Sequence, residues 1–321
     1  MGEFELIRHF FATTAARQDD VVLGIGDDCA LLMPPEGQQL AVSIDTLVEG
    51  IHFPVGMEAE HIATRLLGSA VSDLAAMGAR PAWFTLALTL PKADPVWLEA
   101  FACALAQYAF ELDIVLVGGD TTRGPLVLSV QVHGFVEPDK ALLRSAAREG
   151  DLIAVSGTLG DSHAGLQSML SNARVDLAVS WLQQRFYRPE PRVDLALALA
   201  PHLHAAIDVS DGLCADLQHI LNSSQVGADI HLERLPLSEA MCHWCSDAEQ
   251  RIDWALGGGE DYELCFTLPQ SRWDKCLELA AETGVQITCI GEITDSNSLR
   301  LMSQGQEVER SLAGYDHFKE A

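Results

Sequence analysis

The 321-residue chain carries 46 acidic against 20 basic side chains, a formal net charge of −26, which excludes the basic surface that nucleic-acid binding demands. Its hydrophobic content of 48% suits buried cores, but the apolar runs are too short or too interrupted to cross a bilayer, and Met1-Gly2-Glu3-Phe4-Glu5 lacks the basic flank of a signal peptide. The expectation is a soluble cytoplasmic protein of two domains, without membrane or nucleic-acid partners.

Residues 4–12 have the spacing of a short amphipathic helix, and strands are expected at 21–25 and 39–44. Between them, Leu23-Gly24-Ile25-Gly26-Asp27-Asp28-Cys29-Ala30 reads as a turn leaving a strand, with two carboxylates at its tip. It is not a dinucleotide fingerprint, because Cys29 stands where the third glycine would fall. Two carboxylates about 4 Å apart repel by roughly 4 kcal/mol at a surface-like dielectric, and a divalent cation turns that repulsion into ligation. A solvated Asp-rich loop is the competing account.

A long helix is expected over 58–77, stopped by Gly78 and Pro81. Its apolar arc holds Ile62, Leu66, Ala70, Leu74 and Met77, and Asp73 projects about 20° from Ile62, inside that arc. A carboxylate facing a core must be paired or ligated. Residues 83–90 form a strand, and Asp94-Pro95 caps a helix running to about 111. The strand Ile114–Val117 is expected to end at Gly118-Gly119-Asp120-Thr121-Thr122, a second Gly/Asp turn, before a strand over 126–136. The domain boundary is placed between 149 and 150, giving domains 1–149 and 150–321.

The second half opens with a strand at 151–155, followed by helices near 162–170, 176–186 and 192–200. Ile207-Asp208-Val209-Ser210-Asp211-Gly212 is a third acidic turn, feeding a helix over 213–222 that Ser210 or Asp211 would equally serve as N-cap. Strands near 229–233, 261–267 and 285–290 and a helix over 271–282 follow. In Gly257-Gly258-Gly259-Glu260-Asp261-Tyr262-Glu263-Leu264, three glycines before an acidic pair permit close approach to a ligand, or a tight turn with acidic caps. The eight cysteines suit buried thiols of a reducing compartment; Cys242-His243-Trp244-Cys245 has ligand spacing but no second pair to complete a zinc site.

Asp28, Asp45, Asp73, Asp120, Asp208 and Asp211 thus recur at strand ends and turns, with Asp73 on a helix face. Each taken alone is an ordinary structural aspartate; together they suit a hard cation shared with substrate phosphates. There is no P-loop and no protein-kinase signature set, so metal ions would carry most phosphate charge, with Arg144 and Arg123 as candidate partners.

As a set these motifs, with His52-Phe53, Ser72-Asp73-Leu74-Ala75-Ala76-Met77-Gly78 and the terminal Gly314-Tyr315-Asp316-His317-Phe318, resemble the thiamine-monophosphate kinase family over nearly the whole chain. That family belongs to an ATP-binding superfamily with aminoimidazole ribonucleotide synthetase and selenophosphate synthetase. The resemblance implies a two-domain aminoimidazole ribonucleotide synthetase-like fold: an N-terminal α/β domain with a mixed sheet, dimerising through that sheet, and a C-terminal α+β domain. It implies transfer of the γ-phosphoryl group of ATP to thiamine monophosphate in a homodimer. Asp28, Ser43, Asp45, Asp73, Asp120, Asp208 and Asp211 would hold several Mg2+ ions. Gly119, Asp120, Arg144 and Ser210 would contact ATP, and His52, Glu260 and Phe318 would contact the substrate. No residue is expected to act as a covalent or general-base catalyst. The chain departs from the family pattern at Ile44, often Thr, which can ligate only through its backbone carbonyl. The alternatives are another ATP-dependent synthetase of the superfamily or a non-catalytic divalent-ion binder. No reactive Cys and Lys precede the first acidic loop as selenophosphate synthesis would want, and the chain ends Lys319-Glu320-Ala321, without the terminal Cys of the hydrogenase-maturation relative.

Overall fold

A computed structural model describes residues 3–11 and 19–310. The chain divides into two compact units, Met1–Leu74 with Ala79–Asp139, and Ala75–Gly78 with Lys140–Ala321. The division falls at 139/140, ahead of the 149/150 boundary placed from sequence.

The first unit begins with α1 (Glu3–Leu6), which continues as a π-type turn at Ile7–Phe11 that buries Phe10 and Phe11. A short ribbon of β1 (Val21–Leu23) and β2 (Leu31–Leu32) carries the Gly24–Ala30 turn at its tip. Next come β3 (Gln39–Val48), α2 (Ala59–Ala76), β4 (Arg80–Leu90), α3 (Pro95–Glu111), β5 (Val115–Arg123) and β6 (Val127–Val136). Asp94 caps α3 through Val96 N–H, with Pro95 at N1, as expected. The four strands form a mixed sheet in the order β3-β6-β4-β5, in which only β4 and β5 run parallel.

Side chains alternate across β3. Ser43, Asp45 and Leu47 are more covered, while Leu40, Val42 and Ile44 are 47%, 49% and 62% exposed. In α2, Ile62, Leu66, Ala70 and Leu74 are buried as the periodicity requires. One expectation fails in β5. The strand does not end at the Gly118-Gly119 pair but runs through it to Arg123, with a register shift against β4 beside it. Backbone pairing to β4 outweighs the low strand propensity of two glycines.

The second unit contains β7 (Asp151–Ser156), α4 (Asp161–Leu170), α5 (Leu177–Tyr187), α6 (Val193–Leu199), β8 (Ala205–Asp208), α7 (Leu213–Ser224), β9 (Gly227–His231), α8 (Glu239–Trp244), α9 (Ala248–Gly257), β10 (Leu264–Pro269), α10 (Trp273–Thr283), β11 (Ile287–Thr294), β12 (Leu299–Ser303) and β13 (Gln306–Val308). Its seven-stranded sheet runs β13-β12-β9-β11-β7-β10-β8. Period-two alternation feeds two cores. Ile153, Val155, Ile207 and Cys265 meet Leu213, Leu217 and Ile220 of α7 and Ala255 and Leu256 of α9. Ala154, Ala206, Leu264, Phe266 and Leu268 meet Leu195 and Leu199 of α6 and Cys276 and Ala280 of α10. A strand starting at 261 is not found: residues 261–263 remain outside the sheet and β10 starts at Leu264.

Candidate functional site

In the first unit, β3 and α2 bring two predicted ligands together. Ser43 Oγ donates to Asp73 Oδ2 at 2.5 Å, so the carboxylate that faces an apolar helix arc is met by a hydroxyl from the sheet. Asp45 lies two residues along β3, on the same face as Ser43. Ile44 points to the opposite face, so only its backbone adjoins this group.

Asp28 and Asp120 line one cavity of about 770 Å³, together with the Gly24–Ala30 turn, Gly118, Gly119, Thr121 and, from the N-terminal segment, Ile7, Arg8 and Phe11. The two carboxylates of the turn differ in role. Asp27 Oδ1 accepts from Asp28 N–H at 2.8 Å and fastens the turn, while Asp28 is exposed beside the cavity. Gly119 is irreplaceable here. Its φ is +154°, and a Cβ would fall onto the Leu86 carbonyl. His52 is fixed by Val48 N–H, which donates to Nδ1 at 3.0 Å, and by buried Arg65, whose Nε donates to the His52 carbonyl at 3.2 Å. An accepting Nδ1 leaves the proton of a neutral ring on Nε2, a donor suited to a phosphate oxygen.

In the second unit, Asp208 ends β8 and is buried at 4% exposure. The following turn is held from within α7: Asp216 Oδ2 accepts from Ser210 N–H and Asp211 N–H, both at 3.0 Å. Neither Ser210 nor Asp211 is the N-cap of α7. That position belongs to Gly212, and no side chain caps it. Burial pushes the Asp216 carboxyl up to about 7, with the Asp211 charge adding to the rise, against the two N–H donors and the Arg144 charge. Sequence reasoning missed Asp216, although it shows the signal that singled out Asp73. On a helical wheel it lies about 60° from Leu213, on the buried face of α7. Arg144 is exposed on a short 3-10 turn, pinned by Ser224 Oγ, which donates to the Arg144 carbonyl at 2.7 Å and accepts from Ala147 N–H at 3.1 Å.

Glu260 is half-buried, and its N–H donates to the Ser210 carbonyl at 2.8 Å. Beneath it, Glu263 is fully buried. Its Oε1 accepts from Arg185 Nη2 (2.6 Å) and Arg192 Nη2 (2.5 Å), and its Oε2 from Arg192 Nε (2.7 Å) and Ser156 Oγ (2.6 Å). Burial alone would raise this carboxyl, but the two guanidiniums hold it below the usual range.

Among the described residues, no group of three or more His, Cys, Asp or Glu is drawn together for a metal ion. The candidate ligands form smaller sets: Ser43 with Asp73 and neighbouring Asp45, Asp28 with Asp120 about one cavity, and Asp208 with Asp211 along one turn. Every donor is a hard oxygen, which suits Mg2+ rather than a thiolate-bound metal. Phe318 lies outside the described residues. Cys242 is exposed and Cys245 buried, both free.

Residues 26–136 match the family described as AIR synthase related protein, N-terminal domain, and residues 148–304 match AIR synthase related protein, C-terminal domain. The chain is 47% identical over 320 residues to thiamine-monophosphate kinase of Escherichia coli strain K12, covering 99% of this chain and 98% of that one. It is similar to the crystal structure of thiamine-monophosphate kinase from Stenotrophomonas maltophilia K279a, with 45% identity, a TM-score of 0.88, and coverage of 96% and 98%. A structure of AaThiL complexed with AMPPCP and TMP is 32% identical, with a TM-score of 0.79 and coverage of 99% and 97%.

Proposed function

Because the chain belongs to the AIR synthase-related family and, within it, to the thiamine-monophosphate kinases, we propose that it transfers the γ-phosphoryl group of ATP to the phosphate of thiamine monophosphate, forming thiamine diphosphate and ADP. The observation that carries this reading is 47% identity over 99% of this chain and 98% of the relative. The AMPPCP and TMP held by AaThiL match the two substrates in class.

A substrate phosphate oxygen attacks the γ-phosphorus in line, the bond to the bridging oxygen of ADP breaks, and no phosphoenzyme forms. The nucleophile is already anionic, so no general base is needed, and the obstacle is repulsion between two phosphates. Asp28, Ser43, Asp45, Asp73, Asp120, Asp208 and Asp211 are the residues that would hold Mg2+. Bound there, Mg2+ would neutralise both phosphate groups and the charge spread over a loose transition state. Arg144 would supply a fork of donors to phosphate, and the Gly119–Asp120 and Ser210 segments would position the nucleotide. His52 and Glu260 would orient thiamine monophosphate, with Phe318 as a further substrate contact. The domains proposed for these tasks are 1–149 and 150–321.

A homodimer and a cytoplasmic location belong to the same reading. The apolar, exposed face of β3 supports the first. No helix among the described residues is long and apolar enough to cross a membrane. The test is ADP release from Mg-ATP with and without thiamine monophosphate: substrate-dependent release is expected, and its absence overturns the proposal.

A further inference from the structure

The Gly257–Glu263 segment reaches β10 through a backbone of unusual handedness. Glu260 has φ +76° and Tyr262 φ +51°, and neither is glycine. Side-chain-bearing residues persist in the left-handed region only where their surroundings over-determine it. Three sets of bonds do so. Glu260 N–H donates to the Ser210 carbonyl (2.8 Å), Tyr262 N–H to the Val209 carbonyl (2.9 Å), and Val209 N–H to the Glu263 carbonyl (2.7 Å), so this segment and the 208–212 turn are zipped together. A Cβ at Gly259 would come within 2.5 Å of the Ser210 carbonyl, which is how closely the two backbones run. Glu263 is clamped by Arg185, Arg192 and Ser156.

The third set belongs to Asp261, between the two left-handed residues and 1% exposed. Its carboxyl group turns inward and accepts from Gly160 N–H at 2.6 Å and Ser162 N–H at 3.2 Å. The N-terminus of α4 has no cap of its own, because Gly160 occupies that position. Asp261 supplies the cap from a hundred residues further along the chain. Seating its side chain there fixes the dihedrals on either side. Tyr262, on the far side of the same turn, donates from its hydroxyl to Glu260 Oε2 at 3.3 Å.

We infer that Asp261 is a positioning residue for the substrate, orienting the Glu260 carboxylate toward thiamine monophosphate by anchoring the loop to the N-terminus of α4. The inference rests on the functional reading above and deepens it. Its effect falls more on the substrate than on the nucleotide, because Ser210 and Asp211, although zipped to this segment, have a second fastening through Asp216. Burial, with Asp161 adding repulsion, raises the Asp261 carboxyl well above the usual range, against the pull of the two N–H donors.

The test is steady-state kinetics with thiamine monophosphate and ATP varied separately, on wild type, Asp261→Ala, Asp261→Asn, Glu260→Gln and the Glu260→Gln/Asp261→Asn pair. Circular dichroism and thermal melts report the folded fraction. Asp261→Ala strips both acceptors; should it fail to fold, Asp261→Asn, which keeps one, carries the test. In folded Asp261→Asn, KM for thiamine monophosphate is expected to rise about tenfold and KM for ATP to stay within about twofold, the size of effect a displaced positioning group produces. Once Glu260 is Gln, adding Asp261→Asn should change KM by less than about twofold, because coupled residues are not additive. An unchanged KM in Asp261→Asn, or the full further effect in the Glu260→Gln background, overturns the inference alone. Wild-type protein that shows no turnover of thiamine monophosphate overturns the functional reading, and the inference with it.

Discussion

Replacing Glu263 by Gln removes one negative charge from a side chain with no access to water. The Glu263 side chain is 0% exposed, and those of Arg185 and Arg192 are 10% and 14% exposed. Four bonds between 2.5 and 2.7 Å converge on its two oxygens, three of them from guanidinium nitrogens. Gln keeps the volume and one acceptor, but turns an NH2 group toward donors and leaves the more exposed Glu190, 3.7 Å from Arg185 and 3.2 Å from Arg192, as the remaining counter-charge of the two arginines. Breaking a buried ion pair from one side costs about 3–5 kcal/mol. At roughly 2–4 °C per kcal/mol for a unit of this size, the melting temperature should fall by about 6–20 °C.

The assay is urea unfolding followed by tryptophan fluorescence, at pH 7 and along an acid series. In the folded protein Glu263 is held below its ordinary value of 4.5. Its contribution is therefore fully present above that value and lost as pH falls through the lower folded one. Wild-type stability should drop steeply on the acid side of pH 4.5, and Glu263→Gln should lack that component. Adding Arg192→Met to Glu263→Gln should recover part of the loss, since it removes one of two guanidiniums left with only Glu190 between them. A Glu263→Gln variant within about 1 kcal/mol of wild type at pH 7, the range of an exposed ion pair, would refute the reasoning.

Asp45→Asn and Asp120→Asn should each lower kcat/KM by a hundredfold or more, about 2.7 kcal/mol of transition-state stabilisation, while circular dichroism and melting stay near wild type. Near-normal turnover in either variant would remove that residue from the metal set. Gly119→Ala should cost about 2–4 kcal/mol, because its Cβ meets the Leu86 carbonyl at a positive φ, and should raise KM for ATP; a melt unchanged from wild type would argue against that geometry. Val42→Lys with Ile44→Lys puts two charges on an exposed apolar strand face, and light scattering is expected to report the mass of two chains for wild type and of one for the variant. An unchanged dimer would place the interface elsewhere.

Much of the fold was legible because its signals are local. The arc of Ile62, Leu66, Ala70 and Leu74 follows from one helix needing a buried face, and the Asp94-Pro95 start of α3 from backbone N–H groups needing a cap. The same arithmetic exposed Asp73 as a carboxylate needing a partner, and the combined motifs identified the family. Local chemistry misled where long-range pairing competes with it. Gly118-Gly119 has the composition of a turn, yet bonding to β4 carries β5 through it. Ser210-Asp211 has the composition of an N-cap, yet Asp216 satisfies those N–H groups from inside the helix.

The sequence by itself determined the inventory of side chains: aspartates recurring at strand ends and turns, on an acidic chain with no phosphate-binding glycine loop of the common kinds. Only the tertiary structure decided which donors each carboxylate meets and how deeply it is buried. Glu260, Asp261 and Glu263 lie within four residues, and sequence treats them alike. Folding turns Asp261 onto the N-terminus of α4, seats Glu263 between two arginines, and leaves Glu260 half-exposed. A carboxylate's role depends on which donors meet it, and those donors come from residues up to a hundred positions away.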